Sequence, residues 1–204
     1  MIYNKKDFYL VTLIGFLVGW LLLIPLVNLG FKISFLLVLG SVIGFSVFAP
    51  IALQFLKILS RFFKVLEQFG KFAAVGTLNA LINFSVVNGL IFLTDISKGW
   101  HFTCFAAAGF LMATTNSYFW NKFWTFQSLK PLSVKEYFRF ALFTLVGVSI
   151  NVGTASFVVN IIGAPQGFDL KLWANIGLLF GIAASFLWNF LSYRNFVFKK
   201  SKAE

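Results

Sequence analysis

Long apolar stretches alternate with short basic ones along the 204 residues of the chain. A helix needs about 20 consecutive apolar residues to cross the hydrocarbon core of a bilayer. Six stretches reach that length: approximately Phe8–Leu29, Ile33–Lys57, Phe72–Thr94, Phe102–Asn121, Phe140–Ile162 and Leu172–Tyr193. None holds an Asp or Glu within those limits. The pattern predicts an all-α polytopic membrane protein with six transmembrane helices. Between the second and third spans the period changes. Ile58, Leu59, Phe62, Phe63, Leu66 and Phe69 fall on one helical face, with Ser60, Arg61, Lys64, Glu67 and Gln68 on the other. That alternation predicts an amphipathic connector over 58–69, lying in the interface; an extension of the second helix into water would read the same way. The connector divides an N-terminal transmembrane hairpin, 1–57, from a four-helix domain, 70–198, which a basic tail, 199–204, follows.

Composition agrees with the class. The chain is 59% hydrophobic and 11% charged, against about 25% charged for soluble domains. The basic residues set an orientation. Placing the N-terminus, the second and fourth connections and the C-terminus on one side collects fourteen of the 17 Lys and Arg there; Lys32, Lys98 and Lys171 remain opposite. By the positive-inside rule both termini are cytoplasmic. The net charge of +11 does not call for nucleic acid, because the cations sit at helix ends, where anionic head groups attract each by about 1 kcal/mol. The apolar stretch after "NKKD" is too long for a signal peptide and lacks a small-x-small cleavage site, so it is expected to stay as a helix. Cys104 is alone, which leaves no disulfide framework.

The last four spans repeat. "KFAAVGTLNALINF" from Lys71 aligns with "RFALFTLVGVSINV" from Arg139 at a constant offset, pairing Lys71 with Arg139 and Asn83 with Asn151. "NSYFWNKFWTF" and "WNFLSYRNFVF" align likewise, pairing Lys122 with Arg194 and Phe126 with Phe198. The unit is a helical hairpin that begins and ends on the cytoplasmic side, so the two hairpins are parallel repeats. Three Gly-x-x-x-Gly pairs, Gly15/Gly19, Gly40/Gly44 and Gly177/Gly181, offer seams for close helix approach. Pro25 and Pro50 are expected to kink the first two helices, with Asn28 or Ser46 satisfying the freed backbone groups.

Four repeated cations are the candidate chemistry. Lys71 and Arg139 open the third and fifth spans, where a helix N-terminus adds free N–H groups and partial positive charge. Lys122 and Arg194 close the fourth and sixth. Each could snorkel to the interface beside an aromatic belt; together they could bind a lipid phosphate. The aromatic frame, Trp120 and Trp124 included, suits the C–H faces of a sugar. Amides are frequent inside the spans: Asn79, Asn83, Asn88, Asn116, Asn151, Asn160, Asn175 and Asn189. Such groups must face inward. They serve either as interhelical bonds, worth about 0.6 kcal/mol each, or as a polar track for sugar hydroxyls, with Asn79, Asn83, Asn116, Asn151 and Asn189 as its members.

The phrases "KFAAVGTLNALINF", "NSYFWNKFWTF", "YFRF" and "NFLSYRNFVF" resemble the GtrA-like family of four-helix membrane proteins, over approximately Phe69–Phe198. The resemblance implies translocation of a polyprenyl-phosphate-linked monosaccharide from the cytoplasmic to the outer leaflet of a bacterial cytoplasmic membrane. Lys71, Lys122, Arg139 and Arg194 would capture the phosphate and the Asn-lined seam would shield the sugar. The alternative is a non-transporting accessory subunit of a membrane glycosyltransferase. A parallel homo-oligomer is compatible with either. A proton-coupled cation exporter needs an acid within the spans, and Asp95 and Asp169 fall in the outer connections. No P-loop is present and no cofactor is expected. His101, the single histidine, has neither nucleophile nor metal-ligand spacing beside it, so no enzyme is expected.

Overall fold

The computed structural model describes residues 4–168 and 170–198. The expected basic tail and Asp169 lie outside them, as do the side chains of Lys171 and Asn175. The described residues are helical and form two compact units that meet in sequence at Gln127 and Ser128. In the first unit, α1 (Lys5–Leu21) is continued by the short α2 (Leu23–Asn28). Then follow α3 (Phe35–Leu59), α4 (Val65–Thr94) and α5 (Gly99–Trp120), the last running into a π-helical turn at Asn121–Thr125. The second unit holds α6 (Val134–Ser156), with a π-helical end at Phe157–Ile162, and α7 (Leu170–Ser192), with another at Tyr193–Val197. Among the described residues, 5 helices are long and apolar enough to span a membrane. The sixth, α5, has the length, about 33 Å at 1.5 Å per residue, but carries Thr103, Thr114, Thr115, Asn116 and Ser117 within it. The chain is a multi-pass membrane protein.

Lipid tails are as apolar as leucine, so helices associate in a bilayer through close packing and hydrogen bonds. α1 shows both. It turns Asp7, Val11, Ile14, Gly15, Val18 and Gly19 inward, and Val11, Ile14 and Val18 meet Leu53 of α3, Val75 and Leu78 of α4, and Trp124. A Cβ on Gly19 would lie 2.6 Å from Val42 Cα, so only glycine lets α1 and α3 come this close. Gly177 and Gly181 do the same for α7 on α6; a Cβ on Gly181 would lie 2.5 Å from the Asn151 carbonyl oxygen. A Cβ on Gly40 or Gly44 would meet nothing within 4 Å, so among the described residues the third expected seam is not used.

Pro25 has no N–H, which deprives the Leu21 carbonyl of its partner one turn on. Ser85 of α4 supplies the missing donor, with its hydroxyl 2.8 Å from that oxygen. Asn28, expected in this role, instead donates to Asn88 Oδ1 at 2.8 Å, because α2 runs against α4 at that level. Ser85→Ala is therefore expected to strand a half-buried carbonyl at about 1–3 kcal/mol, visible as a lowered midpoint of thermal unfolding in detergent.

The connector over 58–69 is not one helix. α3 ends at Leu59, Ser60–Lys64 form a turn, and α4 starts at Val65. The reason is packing: Leu53 and Leu56 of α3 close onto Gly70 of α4, where a Cβ would come within 2.9 Å of either side chain. A twelve-residue interfacial helix would carry the two apart by about 18 Å. The short turn keeps them side by side and leaves Phe62 and Phe63 exposed.

The α4–α5 and α6–α7 hairpins repeat each other internally. Phe72 meets Phe126 with ring centroids 6.5 Å apart, and Phe140 meets Phe198 at 5.8 Å. Gly109 faces Asn83, and Gly181 faces Asn151. Both hairpins close in the same π-turn: Phe126 N–H donates to the Asn121 carbonyl and Phe198 N–H to the Tyr193 carbonyl, each at 2.8 Å.

Candidate functional site

Asp7 stands in the first turn of α1, where the helix dipole favours a carboxylate. It also lies one helical turn before Val11 on the inward face, and is buried. A buried charge needs a partner, and Asp7 has two. Its Oδ1 is 2.8 Å from Lys71 Nζ and accepts a hydrogen bond from Trp124 Nε1, also at 2.8 Å. Lys71 Nζ lies 5.8 Å from the centre of the Trp124 ring. Glu67 follows at 4.0 Å from Lys71 and reaches Lys57 at 3.7 Å. This network pins the start of α1 to α4 and to the π-turn that closes α5.

The four repeated cations differ in their surroundings. Lys71 is buried in the ion pair with Asp7. Lys122 is 0% exposed, with its Nζ 5.8 Å from the centre of the Tyr118 ring. Beside it Asn121 is also fully buried; its amide donates to the Ser117 carbonyl at 2.9 Å, while its Oδ1 has no protein partner. Arg139 and Arg194, in the second unit, are exposed. Arg139 Nη1 reaches the Phe196 carbonyl at 3.5 Å, and Phe196 stacks on Phe143 at 5.6 Å. The difference has a physical cause. In the first unit α1 lays Asp7 over Lys71, and the second unit contains no such helix.

Neither Lys71 nor Arg139 opens a helix. α4 begins at Val65 and α6 at Val134, so both cations stand in the second turn, beyond the free N–H groups of the first. The first turns carry Glu67 and Glu136 instead. The expected anion-binding helix ends are thus absent at these two residues.

Asn79, Asn83, Asn116, Asn151 and Asn189 face their partner helices, as their cost in hydrocarbon requires. Asn116 donates to Asn79 Oδ1 at 2.7 Å and Asn151 to Ser185 Oγ at 3.4 Å. Asn83 packs on Gly109 and Asn189 on Gly147, and the Asn189 Oδ1 is buried without a protein partner. Asn160 is exposed and donates to Ser156 Oγ of its own helix at 3.0 Å.

Trp120 and Trp124 line an open-sided slot of about 310 Å³ with Phe119, Phe123, Leu10 and Lys6. Trp120 meets Trp124 edge to face at 5.6 Å, and Phe119 stacks on Phe123 at 6.3 Å. Asp7 and Lys6, which belong to the Lys71 network and to this slot respectively, are residues that a reading of the repeats misses, since both precede the repeated region. One signal for Asp7 is in the sequence: it is in register with the apolar stripe Val11, Ile14 and Val18.

The family profile of the GtrA/DPMS transmembrane domain matches residues 71–198. The chain belongs to the GtrA/DPMS transmembrane domain family. That family is associated with translocation of sugars linked to glycosyl carrier lipids. The GtrA/DPMS match begins on Lys71 and ends on Phe198, the residues that open the first repeat and close the second. α1–α3 lie before it. No curated protein and no solved structure matches the chain.

Proposed function

We propose that the protein moves a polyprenyl-phosphate-linked monosaccharide from the cytoplasmic to the outer leaflet of a bacterial cytoplasmic membrane, for modification of a cell-surface polysaccharide or glycopolymer. It catalyses no reaction itself, and movement is driven by consumption of the sugar outside. The observation that carries this reading, within a GtrA/DPMS domain, is the pair of exposed arginines on the second unit. Both are exposed, and Arg139 reaches the Phe143–Phe196 stack through the Phe196 carbonyl at 3.5 Å. Guanidinium groups bind phosphate through paired N–H donors, and an aromatic face beside them suits the sugar. Lys71 and Lys122, the matching residues of the first unit, are buried, and Lys71 serves mainly to hold α1 on α4 through Asp7.

The test is leaflet exchange of a fluorescent polyprenyl phosphoglucose in liposomes. The protein is expected to accelerate exchange over protein-free vesicles. Arg139→Ala with Arg194→Ala should slow it by about tenfold or more, the equivalent of one lost charge-assisted hydrogen bond. An unchanged rate in that variant would remove the arginines from the phosphate site. No acceleration by the wild-type protein, together with co-purification of a glycosyltransferase, would favour the accessory-subunit reading. The exposed turn with Arg61, Phe62, Phe63 and Lys64 gives such a partner a surface.

A further inference from the structure

We propose that Lys6 and the aromatic slot of the first unit form a second head-group site, for a glycosyl phosphate carried on a lipid. The substrate class rests on the function proposed above; the site itself rests on geometry. The slot's volume of about 310 Å³ falls at the small end of ligand pockets, which run from roughly 300 to 1,000 Å³. That size suits one sugar ring or one head group.

Its walls define the ligand further. Phe119 and Phe123 are stacked with their ring planes only 12° apart, and both are exposed, so they present aromatic faces to the slot. The faces of aromatic rings are negative and attract the polarised C–H groups of a pyranose. Rings alone would equally take a quaternary ammonium. Lys6 decides against that, because its charge at the rim repels a cation and attracts an anion. Among the described residues Lys6 makes no ion pair. The nearest acid in sequence, Asp7, is buried and already paired with Lys71 and Trp124. Asp7 therefore fixes the Trp124 ring and the start of α1, and leaves the charge of Lys6 for a ligand.

The site also gives α1 a role outside the family domain. Trp124 and Phe196 are equivalent positions of the repeated phrase. In the second unit the cation beside the aromatic pair comes from the hairpin itself, as Arg139, and Arg194 is exposed as well. In the first unit the matching lysines are buried, and α1 supplies an exposed replacement in Lys6.

The experiment uses the full chain in lipid nanodiscs and measures binding of three probes of equal isoprenoid length: an isoprenyl phosphoglucose, an isoprenyl phosphate and an isoprenyl glucoside. Lys6→Ala is expected to weaken the two phosphate probes by about tenfold and to leave the neutral glucoside unchanged. Phe123→Ala is expected to weaken the two sugar probes and leave the isoprenyl phosphate unchanged. Both side chains are exposed, so both variants should fold. Lys5→Ala, the control for general surface charge, should bind as wild type. Equal losses in Lys5→Ala and Lys6→Ala, or wild-type binding of all three probes by Lys6→Ala, would overturn the site. The two proposals fail separately. Lys6-dependent binding without leaflet exchange upholds the site and removes translocation. Exchange that Lys6→Ala and Phe123→Ala leave intact, with binding also intact, removes the site alone.

Discussion

Asp7→Ala is expected to destabilise the protein by about 3–5 kcal/mol, the cost of removing one member of a buried ion pair. The side chains of Lys71 and Asp7 are 6% and 8% exposed, so water cannot replace the carboxylate around the ammonium. The same substitution strands Trp124 Nε1, which Asp7 accepts at 2.8 Å. Thermal unfolding in detergent, followed by tryptophan fluorescence, reads the loss. Asp7→Ala combined with Lys71→Met should recover much of it, because removing both charges and filling the space restores an apolar contact. Trp124→Phe alone should cost about 1.5–3 kcal/mol, the value of a hydrogen bond to a charged group. A wild-type unfolding midpoint for Asp7→Ala would mean that the pair is hydrated and that α1 is held on α4 by other contacts. The result bears on function too. If the pair is structural, a folded double variant keeps leaflet exchange, and Lys71 is no phosphate ligand.

The spans and the repeat are legible in the sequence because a membrane constrains them so tightly. Backbone groups in hydrocarbon must bond within their own segment, which forces long helices and writes them as long apolar runs. The repeat is legible because both copies close the same π-turn and pack glycine on asparagine, at Gly109 on Asn83 and Gly181 on Asn151. What stays hidden depends on pairing at a distance. Asp7 looks like one charge of a solvated flank until Lys71 and Trp124 are placed against it, across most of the first unit. Lys71 and Arg139 occupy equivalent positions, yet only one is covered, since the covering helix lies before the repeat. Ser85 and Asn28 are equally plausible partners for the Leu21 carbonyl until α2 is seen beside Asn88. The break at Ser60–Lys64 is hidden for a related reason. Its residues keep an amphipathic period, and only the contact of Leu53 and Leu56 with Gly70 makes the chain reverse there.

Gly15→Val is expected to prevent α1 from docking on α3, whereas Gly40→Ala, in an identical Gly-x-x-x-Gly motif, is expected to be close to neutral. A Cβ on Gly15 would fall on the Phe45 carbonyl and lie 3.0 Å from Ser46 Cα. These are backbone atoms, which cannot rotate away as a side chain would. The helices would have to separate, and the contacts of Val11, Ile14 and Val18 with Leu53 and Val75 would loosen along the seam. Overpacking a core ordinarily costs about 1–3 kcal/mol, and the upper end or more is expected where backbone is struck. Around Gly40 there is nothing within 4 Å, so a methyl group enters open space and the change should stay within about 0.5 kcal/mol. Unfolding midpoints of the two variants measure the contrast. Because α1 also carries Lys6 and Asp7, Gly15→Val should weaken binding of a phosphoglucose probe along with stability, although Gly15 is about two and a half helical turns from Lys6 and lines no part of the slot. Loss of stability without loss of binding would show that the slot does not depend on how α1 seats against α3. Equal behaviour of Gly15→Val and Gly40→Ala would show that the two helices do not approach closely at Gly15.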